Sequence, residues 1–173
     1  MIYLDNAATT ALSPAAIQAM TKTMTVFGNP SSTHSHGREA SKLLRQARED
    51  IAQALHTQSN KILFTSGGTE SNNTAIKGYA LRHQNRGKHI VTTAIEHHAV
   101  LEVVEYLVDK FGFEATFVQP VDGQIRAADI KKALRPDTIL VSVMAVNNET
   151  GAMLPIKEIG ELLHEHPAVF HVD

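Results

Sequence analysis

The sequence predicts an α/β fold in which a mostly parallel sheet is covered by helices on both faces. From residue 61 onward, short apolar runs alternate with segments of helical periodicity. The apolar runs are continuous instead of alternating with polar residues, which is typical of strands buried on both faces. The chain has 173 residues, of which 43% are hydrophobic, so it is long and apolar enough to bury a sizeable core.

The amino-terminal part predicts an arm followed by two helices. Residues 1–13 combine a short extended piece with a small polar loop and are expected to form an N-terminal arm. Ser13 followed by Pro14 predicts a helix start, because proline is favoured at the first helical position. After a turn-rich loop at 27–32, apolar residues recur at helical spacing over 40–55, which predicts a long amphipathic helix.

Five strands and four helices are predicted in the rest of the chain. The strands are expected at 62–65, 89–93, 115–118, 139–146 and 169–172. The helices between them are expected at 70–83, 99–111, 127–134 and 156–164. Because ligands of open parallel sheets bind at the carboxyl ends of the strands, the polar residues that leave each strand are the candidates for a site.

A glycine turn after the first predicted strand is a candidate anion site. Gly67 and Gly68 allow the backbone to turn tightly and to approach a ligand. Thr69 is predicted to cap the following helix, whose free amides and dipole favour a phosphate. The nucleotide-loop patterns GxxxxGK[ST] and GxGxxG are both absent. An ordinary strand-to-helix connection is the alternative.

Three further groups follow the later strands: His97, the loop 147–151 and Asp173. Each also has a structural alternative, since His97 could be a half-buried structural histidine and the loop a simple turn. Asp173 could cap whatever follows it. A metal site is not expected, because the ten histidines include no HExxH pattern.

The overall composition and charge argue against several classes of protein. A net charge of -2 argues against general binding to nucleic acids or membrane surfaces. The absence of cysteine excludes disulfides and a cysteine nucleophile within these residues. The start, MIYLD, lacks the basic and apolar regions of a secretory leader. We therefore expect a cytoplasmic protein with no membrane and no direct nucleic-acid partner.

Six motifs together resemble the pyridoxal-phosphate-dependent cysteine desulfurases, within the class V aminotransferase group. The motifs are YLDNAATT (3–10), GNPSSTHSHG (28–37), FTSGGTESNN (64–73), EHHAVL (96–101), VNNETG (146–151) and FHVD (170–173). They run through the whole chain in the family's order and spacing. The residues of these motifs are similar to those of the branch of the family that feeds iron-sulfur cluster and tRNA thiolation systems.

The resemblance implies a role for five residues toward the cofactor, pyridoxal 5'-phosphate. Gly68 and Thr69 would hold its phosphate, and Asn148 would bond the ring hydroxyl. His97 would stack on the ring and, as the catalytic residue, help to move protons. Asp173 would pair with the ring nitrogen. A carboxylate at that nitrogen favours its protonated form, which makes the ring an electron sink.

The resemblance also implies the large domain of the PLP-dependent transferase fold type I, incomplete at its C-terminal side, with 14–173 as a single partial domain. The expected activity converts L-cysteine into alanine and an enzyme persulfide. A sulfur-acceptor protein, such as an iron-sulfur scaffold or a tRNA-thiolation protein, would take up the sulfur. The complete enzyme is expected to be a homodimer.

The family's Schiff-base lysine and persulfide cysteine are not found in these 173 residues. This chain alone is therefore expected to be inactive, as the N-terminal part, a fragment or one chain of a split protein. In the family, the strand at 62–65 pairs with a strand that lies outside this sequence, so its ladder groups are expected to be open. Two alternatives stay open: another class V enzyme, such as a selenocysteine lyase or an aminotransferase, and a non-catalytic fragment.

Overall fold

Residues 2–173 are described by a computed structural model, in which the chain divides between Phe64 and Thr65 into two units. The first unit ends at Phe64 and is helical. The second, Thr65–Asp173, contains the sheet and every residue of the predicted site. The arm at 1–13 and the single partial domain at 14–173 stay predictions.

The first unit contains helix α1 (Pro14–Thr23), helix α2 (Ser35–Ala54) and a short 3₁₀ helix. The predicted start of α1 is confirmed, because the Ser13 hydroxyl accepts a hydrogen bond from the Ala16 amide at 3.2 Å. Helix α2 begins five residues before the predicted 40. His34 makes this possible, since its Nδ1 accepts a hydrogen bond from the Gly37 amide at 3.3 Å.

The second unit contains a four-stranded parallel sheet with the strand order β2-β1-β3-β4. The strands are β1 (His89–Thr93), β2 (Glu114–Val118), β3 (Thr138–Val143) and β4 (Val169–Val172). The predicted parallel sheet is thereby confirmed. Its first two strands along the chain are neighbours, and the third pairs with β1 from the other side, which reverses the direction of winding.

Helices cover both faces of this sheet, as predicted from the continuous apolar runs. The helices are α3 (Gly68–His83), α4 (His98–Phe111), α5 (Ala127–Ala133) and α6 (Ile156–Leu163). On one face, Ile90 of β1 belongs to a core cluster with residues of α3 and α4. On the other face, the next residue, Val91, belongs to a cluster with residues of α5 and α6. This alternation places α3 and α4 opposite α5 and α6.

The strand predicted at 62–65 is wrong. The backbone at Ile62 is extended, with φ −91° and ψ 121°, but none of the four described strands pairs with the segment. A strand is defined by the ladder with its neighbour, and an apolar run predicts only the extended conformation. The segment has no strand partner among residues 2–173, and its pairing with a strand outside this sequence stays a prediction.

The strand predicted at 139–146 is too long at its end, because β3 ends at Val143. The next amide, that of Met144, donates to the Glu96 carboxylate at 3.0 Å instead of to a neighbouring strand. Val146 then forms an isolated antiparallel bridge with Met153. The regular ladder of β3 therefore ends at Val143, although the Ala145 amide still donates to the Asp173 carbonyl at 2.8 Å.

Gly87 and Gly78 give a matched pair of stability predictions. A Cβ at Gly87 would collide with the backbone carbonyl of Asp137, whereas a Cβ at Gly78, exposed on α3, would meet nothing within 4 Å. We expect Gly87→Ala to lower the free energy of unfolding by about 1–3 kcal/mol through overpacking. Gly78→Ala is expected to raise it by about 0.5–1 kcal/mol, since alanine favours the helix. Urea denaturation of both variants tests this, and equal changes would contradict it.

Candidate functional site

A cavity of about 370 Å³ lies at the carboxyl edge of the sheet, at the start of α3. Its wall contains all five residues predicted from the sequence, together with four others. The lining residues are Gly68, Thr69, Asn72, His97, Ala99, Met144, Val146, Asn148 and Asp173. They come from α3 and from the segments that follow β1, β3 and β4. The volume is in the range of small-ligand sites.

The start of α3 differs from the prediction in one detail, since Thr69 is not the helix cap. The helix begins at Gly68 and Gly67 occupies the cap position, without a side chain to bond the helix amides. Glu70 instead reaches back, and one of its carboxylate oxygens accepts from the amide and the hydroxyl of Ser66 at 2.7 and 2.6 Å. These hydrogen bonds lower the pKa of Glu70. Thr69 therefore lies in the first turn.

This helix start is open to a ligand. Amides of the first helical turn have no partner within the helix, and the positive end of the helix dipole lies at the same place. A Cβ added at Gly67 or at Gly68 would meet nothing within 4 Å. The glycines are thus not required by contacts with the protein itself, and the space in front of the amides suits a phosphate.

His97 has a fixed orientation because it caps α4. Its Nδ1 accepts a hydrogen bond from the Ala99 amide at 3.1 Å. The neutral ring must then carry its proton on Nε2, which is the nitrogen left to face a ligand. His97 lines the cavity, whereas His98 does not.

The loop after β3 is held by Asn147, so that Asn148 is left for the cavity. The Asn147 Oδ1 accepts from the amides of Glu149 and Thr150 at 3.0 and 2.8 Å, and its Nδ2 donates to the Ile95 carbonyl at 2.9 Å. The turn interpretation therefore applies to Asn147, which is buried. Asn148, one residue on, is exposed and lines the cavity.

Asp173 follows β4 and lies beside the segment that follows β3. Its carbonyl accepts a hydrogen bond from the Ala145 amide at 2.8 Å. Asp173 is exposed and lines the cavity. The cavity thus brings together helix amides, an imidazole, a primary amide and a carboxylate from four segments.

Glu96 is buried and feels the charge of Asp173, and its role was not identified from the sequence. Its Oε1 accepts from the Thr93 hydroxyl at 2.6 Å and from the Met144 amide at 3.0 Å, while its Oε2 is buried and has no partner among residues 2–173. Burial raises the pKa of Glu96 to about 7, and the charge of Asp173 adds to the rise, while the two hydrogen bonds act against it. Glu96 therefore links the end of β1 to the residue that follows β3.

Sequence reasoning also missed Asn72, a buried residue of α3 that lines the cavity. A signal for it was present, since Asn72 lies four residues after Gly68 and four before the apolar Ile76, on one helix face. Glu96 had a weaker signal, because it directly precedes His97 at the end of a strand. The sequence does not indicate whether the side chain at either position finds a hydrogen-bond partner.

The described residues contain neither a candidate metal cluster nor a candidate membrane-spanning helix. Among residues 2–173, no group of three or more histidine, aspartate or glutamate side chains is placed to hold a metal ion. No helix in this range is both long enough and apolar enough to cross a membrane.

The residues present fit the groups of pyridoxal phosphate. Open helix amides suit its phosphate, an exposed carboxylate suits a protonated ring nitrogen, and an amide suits the ring hydroxyl. The imidazole of His97 has a flat face that can stack on an aromatic ring. The roles of Gly68, Thr69, His97, Asn148 and Asp173 toward that cofactor stay predictions.

Comparison with known proteins gives one consistent family. Residues 2–173 match the class-V aminotransferase family. Over 99% of its length, the chain is 50% identical to a protein of Dictyoglomus turgidum named cysteine desulfurase IscS, of which it covers 44%. It is 49% identical, again over 99% of its length, to a Bacillus subtilis protein named putative cysteine desulfurase IscS 1, of which it covers 46%.

Solved structures agree with these relatives. A structure described as SspA in complex with cysteine superposes with a TM-score of 0.91 at 38% identity, over 99% of this chain and 50% of that one. A NifS-like protein superposes with a TM-score of 0.92 at 37% identity, over 99% of this chain and 48% of that one. The chain therefore spans about half the length of the relatives that it matches.

Proposed function

Because the chain belongs to the class V aminotransferase family, whose members depend on pyridoxal phosphate, we propose that it forms the cofactor-binding part of a cysteine desulfurase. The observation that supports this most is the shared cavity of Thr69, His97, Asn148 and Asp173. These residues are far apart in the sequence and would have no reason to converge if each were only a turn or a cap.

The amides at the start of α3 hold the phosphate in this proposal, with Gly68 leaving room for its approach. When bound, pyridoxal phosphate supplies an electron-withdrawing ring that stabilises negative charge on a substrate carbon. Asp173 keeps the ring nitrogen protonated, since a nearby carboxylate favours a cation. Asn148 donates to the ring hydroxyl.

His97 is the proton carrier. Its Nδ1 is engaged with the Ala99 amide, so it exchanges protons with the substrate through Nε2. The helix cap holds the ring in one orientation throughout, which favours proton transfer along one direction. Its face remains available for stacking on the cofactor ring.

We propose L-cysteine as the substrate, with alanine and an enzyme persulfide as products. Support comes from the relatives named cysteine desulfurase and from the related structure that contains cysteine. The persulfide cysteine must come from outside these residues, because the 173-residue sequence contains no cysteine. A cytoplasmic homodimer that passes sulfur to an iron-sulfur scaffold or a tRNA-thiolation protein completes the proposal.

Binding of the cofactor phosphate is the first test. We expect the purified chain to bind pyridoxal phosphate at least tenfold more tightly than pyridoxal, since charge-assisted hydrogen bonds contribute about 1.5–3 kcal/mol each. Gly68→Asp should remove this preference by placing a negative charge in front of the helix amides. Gly78→Asp, on the exposed middle of the same helix, is the matched control and should keep the preference.

Equilibrium dialysis with absorbance detection measures both ligands. Equal affinity for pyridoxal and pyridoxal phosphate in the unsubstituted chain would overturn the phosphate site. Turnover requires a chimera in which this chain replaces the matching segment of the Dictyoglomus turgidum relative. A folded chimera that releases no alanine from L-cysteine would overturn the desulfurase proposal.

A further inference from the structure

Asn72 lies on the face of α3 that points toward the sheet. Gly68, Asn72 and Ile76 are four residues apart and share this face. Ile76 is fully buried in the core with Ile90 and Leu140 of the sheet. Asn72 is only 4% exposed, and it lines the cavity together with Gly68 and Thr69.

The carboxamide of Asn72 has no hydrogen-bond partner in the described part of the chain. Its Nδ2 is buried and unpaired. The other buried or half-buried asparagines of this unit are satisfied: Asn73 donates to the Thr69 carbonyl at 2.9 Å, and Asn147 donates to the Ile95 carbonyl at the same distance. Burial of an unpaired amide is unfavourable. Buried polar groups in folded proteins are therefore nearly always hydrogen-bonded, to the protein, to water or to a ligand.

Because Asn72 lines the cavity, a ligand bound there can reach its carboxamide. Side chains of a helix lean toward its N-terminus, so that of Asn72 leans over Gly68. Gly68 has no side chain there to fill the space, and a Cβ would meet nothing within 4 Å. A half-turn of the amide plane exchanges its oxygen and nitrogen, so the donor can face this space.

The charge of the cavity favours a neutral donor at this position. None of its lining residues is lysine or arginine, and Asp173 contributes a negative charge. Among the residues that line this cavity, the donors left for a phosphate at the start of α3 are helix amides and neutral side chains. The Glu70 carboxylate is held by its hydrogen bonds to Ser66 and does not line the cavity.

We propose that the Asn72 carboxamide donates a hydrogen bond to an oxygen of the phosphate monoester that binds at the start of α3. This inference rests on the proposed function and adds a side-chain ligand to its phosphate site. Asn72 then serves as a specificity residue for phosphorylated over unphosphorylated ligands.

Two substitutions separate the hydrogen bond from the local charge. Asn72→Asp keeps the size and places a negative charge beside the phosphate, and we expect at least a 30-fold loss of affinity for pyridoxal phosphate. Asn72→Leu keeps the volume and removes the donor, with an expected loss of about fivefold to tenfold. Affinity for pyridoxal should change less than twofold in both variants.

Asn85→Asp is the matched control, since it makes the same change at an exposed position beyond the other end of α3. Inorganic phosphate serves as a second probe. If the monoester is the ligand, inorganic phosphate should compete only weakly and its binding should depend on Asn72 in the same direction. Tight binding of inorganic phosphate that excludes pyridoxal phosphate would overturn the assignment to a monoester.

The outcomes separate this inference from the proposed function. If the unsubstituted chain prefers pyridoxal phosphate but Asn72→Leu binds it as tightly, the donor role is overturned and the phosphate site stands. If the unsubstituted chain shows no phosphate preference, both are overturned. Nuclear magnetic resonance adds a readout without a folding risk, because the Asn72 side-chain NH₂ signals should shift with pyridoxal phosphate and not with pyridoxal. Unchanged signals would overturn the contact.

Discussion

Replacement of Glu96 by glutamine is expected to remove the contribution of this one carboxyl, which lowers the free energy of unfolding by about 3 kcal/mol as pH rises from 4 to 8. Burial raises the pKa of this carboxyl from 4.5 to about 7. Glutamine has the same shape and stays neutral. The variant should therefore be more stable than the original chain at pH 8 and similar to it at pH 4.

The sign follows from proton binding in the two states. Between pH 4.5 and 7, the folded chain holds a proton on Glu96 that the unfolded chain has lost, so the free energy of unfolding decreases as pH rises. His89 and His171 act in the opposite direction, because burial lowers the pKa of both imidazoles. Their stabilising contribution is present above pH 6.5 and is lost as pH falls below it. The difference between variant and original chain isolates Glu96.

Urea denaturation at pH values from 4 to 8 measures this difference. Glu105→Gln is the matched control, since it makes the same change at an exposed position of α4. Parallel curves for Glu96→Gln and the original chain would contradict the prediction, because they would show that the pKa of Glu96 is the same in the folded and the unfolded chain. The infrared band of a protonated carboxyl group, lost in the variant, provides a second measurement.

Replacement of His97 by asparagine in the chimera with the Dictyoglomus turgidum relative is expected to lower alanine formation by roughly 10²–10⁴-fold. Asparagine is a good helix cap and can accept the hydrogen bond that His97 takes from the Ala99 amide. It has no nitrogen that exchanges protons near neutral pH, so catalysis falls while stability is kept. His97→Ala should lose both, with about 1 kcal/mol from the missing cap.

His98→Ala is the control for this pair. It removes a similarly exposed imidazole one residue along that does not line the cavity, and turnover should stay within about threefold because the group moves no proton. Turnover of His97→Asn near that of the original chimera would exclude His97 as the proton carrier. Cofactor content, read from absorbance, separates loss of chemistry from loss of cofactor.

Much of the second unit could be predicted because its signals are local. The apolar runs at β1 and β4 were predicted with the bounds that the structure has. Helix α6 was predicted to within one residue at its end. The resemblance that rests on six motifs is confirmed by the match to the class V aminotransferase family.

The errors fall where a distant partner decides the local structure. The apolar run at 62–65 is extended but forms no strand, because a ladder requires a neighbour that no described strand provides. Strand β3 stops at Val143 because the Met144 amide is taken by Glu96, 48 positions away in the sequence. Thr69 was predicted as a cap, but the bonds of Glu70 to Ser66 let α3 begin at Gly68.

The sequence by itself determined the fold class, the order of helices and strands after residue 67, and the edge of the sheet at which the cavity lies. Each of these depends on periodicity or on short motifs, and residues that are close together in the sequence are enough to define both. Only the tertiary structure decided that Glu96 is buried within reach of the charge of Asp173, and that the Asn72 Nδ2 has no partner among residues 2–173. Burial and hydrogen bonding depend on segments that meet in space, and the desolvation that raises the pKa of Glu96 exists only after they have met.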